Sequence, residues 1–138
     1  CGIYDDARKV IEIEEHIQTI DKAMDNILNI TSKNKQTAQE MNQLVRWINT
    51  KEEHAQNIQS TLMEYFLAQR IKPKNVGDNG YDKYVMLSTS CQKIIFYAMK
   101  CKQNVDTQYV EKLSAELESL VDIYLDKHEK EHLQDVRK

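Results

Sequence analysis

The sequence is poor in the residues that interrupt secondary structure. It has only three glycines and one proline among 138 residues. A fold of many short strands needs a turn-forming residue about every ten positions, so this composition excludes such folds and favours an all-α protein. No run of 18 or more apolar residues occurs either, so the sequence contains no candidate membrane-spanning helix.

The sequence also lacks an excess of positive charge. Its 19 lysine and arginine residues are interspersed with 22 aspartate and glutamate residues, which gives a net charge of −3. A nucleic-acid-binding surface needs clustered cations, so the sequence predicts no nucleic-acid partner. Glycine-rich phosphate loops and the G-x-S-x-G motif are absent. Because no nucleophile, base and orienting group can be assembled from helical spacing alone, we expect a protein that is not an enzyme.

The apolar residues that are present recur every three or four positions, as in helices with one buried face. Four such stripes predict helices at about residues 3–32, 37–70, 81–103 and 107–136, with a loop at 71–80 that holds the only proline. Two short turns and this loop then join four antiparallel helices. The predicted fold is an all-α, up-down-up-down four-helix bundle in a single domain, residues 1–138.

The first two predicted helices can be arranged in two ways. The first stripe runs from Ile3 to Ile27 and the second from Met41 to Tyr65, and a polar run at 31–36 separates them. Thr37 and Glu40 then show the T-x-x-E spacing of a capping box, which starts a new helix. A hairpin is therefore favoured over the alternative, one long rod that dimerises as a coiled coil.

Two of the three cysteines fall on the apolar stripe of the third predicted helix. Cys91 and Cys101 are ten residues apart, which is about 15 Å along a helix axis. The Cα atoms of a disulfide lie within about 7 Å of each other, so these residues cannot be bridged within one helix. The sequence predicts two buried, unpaired thiols that pack as small apolar side chains.

A motif near the C-terminus has the spacing of a zinc-peptidase helix. His128-Glu129-Lys130-Glu131-His132 reads as H-E-x-x-H, and two histidines four residues apart on a helix can bind one zinc ion. A catalytic zinc ion needs a third protein ligand, and only six residues follow His132. Cations are also favoured near a helix C-terminus, so the sequence favours a charged, solvated helix end without catalytic residues.

Two further histidines suggest a non-catalytic metal site. If the first hairpin turns near residue 35, His16 and His54 each lie 19 residues from the turn and face each other at the same height. His128 and His132 lie about one to two turns lower on the fourth predicted helix. The four histidines are therefore candidate zinc ligands, as an alternative to the prediction that the protein has no cofactor.

Aromatic residues around the loop at 71–80 form a candidate partner-binding surface. Tyr65 and Phe66 precede this loop, and Tyr81 and Tyr84 follow it. Aromatic side chains often supply much of the binding energy at protein interfaces. The alternative, which the sequence favours, is that the aromatic side chains of the second helix lie in the core because a central helix is buried on two sides.

The chain begins with Cys1-Gly2, which resembles a processed bacterial lipoprotein. In that class the signal peptide is cut just before a cysteine that is then acylated, so the resemblance implies that Cys1 is a lipid anchor. A residue other than aspartate at position 2 implies the outer membrane, on the periplasmic side of the cell envelope. The alternative is that Cys1 is a fragment boundary.

The function predicted from these observations is non-catalytic. We expect a membrane-tethered, extracytoplasmic helical bundle that acts as a protein-interaction or assembly accessory factor, with a protein partner in the cell envelope. One alternative is the ligand-sensing four-helix domain of a bacterial receptor. The other is a histidine-based metal-binding protein. The oligomeric state stays open.

Overall fold

The structure is a computed structural model and describes residues 4–137. Within these residues it contains helices and no strand, so the all-α prediction is confirmed. The helices are α1 (Asp6–Thr31), α2 (Ala38–Thr61), a π-helix (Leu62–Arg70) that continues α2, α3 (Tyr81–Gln103), α4 (Gln108–Tyr124) and α5 (Lys127–Arg137). No helix in this part of the chain combines the length and the apolar character that crossing a membrane requires.

The first two helices form a hairpin whose helices begin at side-chain caps. Asp5 starts α1 by accepting a hydrogen bond from the backbone N–H of Arg8 (3.1 Å). Thr37 and Glu40 start α2 as a capping box, in which each side chain accepts from the other residue's backbone N–H at 3.1 Å. Because α1 packs along α2, the alternative of one long rod is wrong.

The core lies between the apolar stripes of the helices. The stripe of α1 is buried along its length because its apolar side chains recur every three or four residues. It joins side chains of α2, the π-helix, α3 and α4 in one cluster that includes Val10, Ile13, Ile17, Ile20, Met24, Ile58, Leu62, Phe66, Ile94, Leu113 and Leu117. This shared cluster holds the helices in fixed positions and so determines where their polar side chains meet.

The predicted fourth helix is interrupted, so five α-helices rather than four lie within residues 4–137. Leu125 is extended (φ −84°, ψ 135°). Asp126 then caps α5 by accepting from the backbone N–H of Glu129 at 2.8 Å. α5 packs on α1, and Leu133 is buried there. Residues 126–132 are all polar or charged, but Leu133 falls eight residues after Leu125, which is the spacing of one continuous helix face, so helical spacing alone does not reveal the break.

The segment that continues α2 is wound more loosely than an α-helix. Its hydrogen bonds reach back five residues, as from the N–H of Ile71 to the carbonyl of Phe66 (2.8 Å). Residues five positions apart therefore lie nearly above one another, which brings Tyr65 and Arg70 to the same side. In an α-helix of 3.6 residues per turn, these two side chains would point about 140° apart.

Lys51 of α2 is buried and caps the end of α3. Its Nζ donates to the backbone carbonyls of Cys101 (2.7 Å) and Lys102 (2.5 Å), which are among the carbonyls that a helix C-terminus leaves without partners. Burial lowers the pKa of Lys51, and the carboxylate of Glu52 opposes this effect. The lysine therefore ties α2 to α3 at the end of the core.

We expect Lys51→Met to lower the free energy of unfolding by about 2 kcal/mol, because it leaves two carbonyls without their donor. Urea unfolding followed by circular dichroism measures the change. Lys35→Met, at an exposed position between α1 and α2, is the control and should change stability by less than about 0.5 kcal/mol. Equal effects of the two substitutions would contradict the capping role.

Candidate functional site at the start of α1

A largely shielded carboxylate at the start of α1 joins three separate parts of the chain. Asp6 accepts two hydrogen bonds from Arg70, one from Nε (3.1 Å) and one from Nη2 (2.9 Å). It also accepts hydrogen bonds from the hydroxyls of Tyr65 (2.6 Å) and Tyr124 (3.2 Å). We call these four residues the Asp6 cluster. It fixes the first turn of α1 against the π-helix and the end of α4.

The Asp6 carboxylate is charged although its side chain is only 9% exposed. Burial raises the pKa of Asp6, but the hydrogen bonds from Arg70 and the two phenols, with the charge of Arg70, outweigh it, so the pKa lies below its usual value of 3.8. Burial and the Asp6 carboxylate raise the pKa of Tyr124 to about 12 and also raise the pKa of Tyr65. Near pH 7 both phenols therefore stay protonated and donate to the carboxylate.

The Asp6 cluster was not predicted from the sequence, although α1 carries a signal for it. Asp6 lies four residues before Val10 and seven before Ile13, so it occupies a position of the buried stripe where an apolar residue is expected. A carboxylate there needs a cation or several donors as partners. The partners of Asp6 lie 59, 64 and 118 residues away, so no local pattern reveals which residues they are.

Tyr4 extends these contacts toward the beginning of the chain. Its hydroxyl donates to Oε1 of Gln69 (3.0 Å), and Cζ of Arg70 lies 4.4 Å from the centre of its ring. A cavity of about 370 Å³ adjoins these residues. The cavity is lined by Tyr4, Asp5, Asp6, Ala7, Arg70, Glu129 and His132, so it offers groups of both charges to a small polar ligand.

The structure brings together two of the four histidines predicted as metal ligands. His16 on α1 and His54 on α2 face each other with 2.8 Å between their Nδ1 atoms. His128 and His132 lie on α5 and are exposed, and Nε2 of His132 is 3.5 Å from Oδ1 of Asp5. The H-E-x-x-H motif therefore lies on an exposed face of a short helix, and the role of these histidines as metal ligands stays a prediction.

The aromatic residues of the predicted partner surface differ in burial. Phe66 is fully buried, and its ring packs edge-on against the rings of Tyr65 and Tyr124 at 5.0 and 5.7 Å. Its assignment to a partner-binding surface is therefore wrong. Tyr81 and Tyr84 stay partly exposed, with ring centres 6.4 Å apart, and their role in partner binding stays a prediction.

The described residues do not supply a complete metal site. Within residues 4–137, no three histidine, cysteine, aspartate or glutamate side chains are arranged to hold a metal ion. Cys91 and Cys101 are free and buried, as predicted. Burial raises their pKa values to about 12 and about 11, so both thiols are protonated near neutral pH and are poor ligands. Cys1, the predicted lipid anchor, lies outside the described residues.

Comparison with known proteins gives a family for the chain. The family model described as nickel-containing superoxide dismutase matches residues 1–128. The matched range includes Cys1, the Asp6 cluster and the His16–His54 pair. No curated protein and no solved structure matches the chain.

Proposed function

We propose that this chain, which belongs to the nickel-containing superoxide dismutase family, converts superoxide to dioxygen and hydrogen peroxide at a bound nickel ion. Two superoxide anions and two protons give one molecule of each product, and one electron passes from the first superoxide to the second. Nickel, when bound, supplies the one-electron redox chemistry. The family match over residues 1–128 is the observation that carries the proposal.

The family match corrects several predictions made from the sequence. The family is an enzyme family, so the prediction that the protein is no enzyme, and the prediction of an accessory factor, are wrong. The resemblance to a processed lipoprotein was misleading, since the chain belongs to a specific enzyme family. The prediction of no cofactor, with zinc as the alternative, is wrong because the family implies nickel. The cell-envelope location and the protein partner stay predictions.

We also keep the antiparallel, up-down arrangement of the long helices in a single domain as a proposal. It is supported by the short connections at 32–37 and 104–107 and by the packing of α1 on α2 and of α3 on α4. Short connections favour antiparallel neighbours. The arrangement puts the start of α1 beside the end of the π-helix, where the Asp6 cluster forms.

The described residues do not fit nickel by themselves, because no three donors converge among them. Cys1 is the remaining cysteine, and it lies within the matched range. A metal-bound thiol is deprotonated outright, and its thiolate donates electron density to the metal. We infer that Cys1 supplies the sulfur ligand, since the thiols of Cys91 and Cys101 are buried and protonated.

Sequence distance supports a nickel site near the Asp6 cluster. Cys1 precedes Tyr4 by three residues, so their Cα atoms lie within about 11 Å of each other in any conformation. Tyr4 contacts Gln69 and Arg70, and Asp6 is held by Arg70 and two phenols. The Asp6 cluster therefore anchors the chain just beyond the proposed ligand.

The proposal predicts that the activity depends on nickel. Protein made from its own gene in its natural host should disproportionate superoxide after growth with nickel and lack this activity after growth without it. Zinc added to the nickel-free protein should not restore activity, because zinc has no redox chemistry. The decay of superoxide absorbance measures the rate. Equal activity with and without nickel would rule the proposal out.

A further inference from the structure

His16 and His54 form a hydrogen-bonded pair that the proposed reaction does not use. Their Nδ1 atoms are 2.8 Å apart and their ring centres 4.9 Å apart. A hydrogen bond between two imidazole nitrogens requires one nitrogen to carry a proton and the other to offer a lone pair. Two nitrogen donors therefore converge between α1 and α2 with a proton between them.

The separation of the two nitrogens matches neighbouring positions around a metal ion. At metal–nitrogen distances of about 2.0 Å, two nitrogens 2.8 Å apart subtend about 90° at the metal. This is the angle between neighbouring ligands in square-planar complexes, which copper(II) and nickel(II) form. Tetrahedral zinc requires about 109° and therefore about 3.3 Å between ligands. The pair thus suits nickel(II) or copper(II) better than zinc(II).

The surroundings of the pair leave room for further ligands. A groove of about 360 Å³ adjoins His16 and is lined largely by polar side chains, including Asn57, Ser60 and Thr61. Both imidazole rings are partly exposed, so water can reach an ion bound to them. The χ2 torsion of histidine is soft, so both rings can turn toward a point beside the line that joins the two nitrogens.

The charges around the pair favour a bound cation. The carboxylates of Glu12 and Glu15 act on His16 through their charge. Glu15 adds negative charge beside His16, and Glu12, which lies four residues earlier on the same helix face, is paired with Lys9 at 3.3 Å.

We propose that His16 and His54 form a second metal site, which binds one nickel(II) or copper(II) ion per chain between α1 and α2 without Cys1. The two Nδ1 atoms are the protein ligands, since no third donor joins them within the described residues, and water completes the coordination. An ion that binds the folded chain but not the unfolded one stabilises the fold. The site therefore cross-links the first hairpin and is distinct from the nickel ion of the proposed reaction.

Calorimetric titration of nickel(II) into untagged Cys1→Ser protein tests this site, because that variant lacks the proposed sulfur ligand. One ion should bind per chain, and zinc(II) should bind more weakly. In Cys1→Ser/His54→Ala the nickel dissociation constant should rise about tenfold or more. Cys1→Ser/His128→Ala, which changes an exposed histidine of α5, is the control and should bind nickel as Cys1→Ser does. Circular dichroism of the metal-free variants verifies folding.

The outcomes of this titration test the second metal site independently of the proposed enzyme activity. Nickel affinity that is unchanged by His54→Ala, or is lost with His128→Ala, would overturn the proposal. Tighter binding of zinc than of nickel would contradict the preference for nickel(II) or copper(II) that the 2.8 Å nitrogen separation predicts. If His54→Ala abolishes nickel binding at the second site, and the single His54→Ala variant still disproportionates superoxide at the full rate, the proposal is supported. The two metal sites are then independent.

Discussion

Cys1→Ser should reduce superoxide disproportionation to the rate of the spontaneous reaction in buffer. The substitution replaces the thiol by a hydroxyl, which does not donate electron density to nickel as a thiolate does. It should also remove one nickel ion per chain. The rate is measured by superoxide decay, and the bound nickel by elemental analysis of the same samples.

The other two cysteines supply the control for this variant. Cys101→Ala removes a buried, protonated thiol of α3, so it should lower stability slightly and leave the nickel content and the activity per folded chain unchanged. Intact mass should show that both variants begin at the same residue as the unmodified protein. Full activity of Cys1→Ser, or inactivity of folded Cys101→Ala, would show that the sulfur ligand is assigned to the wrong cysteine.

Asp6→Asn should lower the free energy of unfolding by about 2–3 kcal/mol at pH 7. The variant keeps the size of the side chain but leaves Arg70 without its charged partner, which is costly near the protein interior. The side chain of Arg70 is 30% exposed, so we expect an effect smaller than that of a fully buried ion pair. Urea unfolding measures it. Asp25→Asn, at an exposed position of α1, is the matched control.

The effect of Asp6→Asn should depend on pH. The pKa of Asp6 is lower in the folded chain than its usual value of 3.8, so the stabilisation is complete above that value and is lost as the pH falls through the folded pKa. The stability difference between the unmodified protein and the variant should therefore shrink in acid. A difference that stays constant from pH 7 to pH 2 would show that Asp6 does not act through its charge.

Asp6→Asn should also release nickel to a chelator faster than the unmodified protein does. Lys51→Met serves as the comparison, because it should destabilise the fold similarly while lying 14 residues before Tyr65, about 20 Å along the helix. Faster release from the Asp6 variant than from the Lys51 variant identifies a local positioning effect. Equal release rates would show that the Asp6 cluster affects nickel binding only through the overall stability of the fold.

The sequence predicts most of the helices because caps and apolar stripes depend on residues only a few positions apart. The capping box of Thr37 and Glu40 and the buried stripe of α1 follow directly from residue spacing. Met41 and Ile48 continue the stripe of α2, yet they are 49% and 38% exposed. Lys51 contacts the last turn of α3. The residues of α2 that precede Lys51 therefore lie beyond the end of α3. Periodicity shows which face of a helix is apolar, and it does not show whether another helix covers that face.

The candidate site could not be predicted in the same way, because it depends on contacts between distant residues. The π-helix turns Tyr65 and Arg70 to one side, and the end of α4 brings Tyr124 to the same carboxylate. Neither feature follows from a local pattern. Cys1 was interpreted through signal-peptide cleavage, and one cysteine at the start of a chain is equally suited to bind a metal. The family match shows an enzyme family, and the metal-binding role of Cys1 is the proposal that this match supports.

The most direct test of the proposed function is the rate of superoxide decay as a function of bound nickel. We would use the His54→Ala protein from its natural host, so that nickel at the second site does not contribute, and load it with increasing amounts of nickel. The proposed function predicts a rate that rises in proportion to bound nickel and levels off at one ion per chain, one for each Cys1. A rate that stays at the spontaneous value when nickel is fully bound would contradict it.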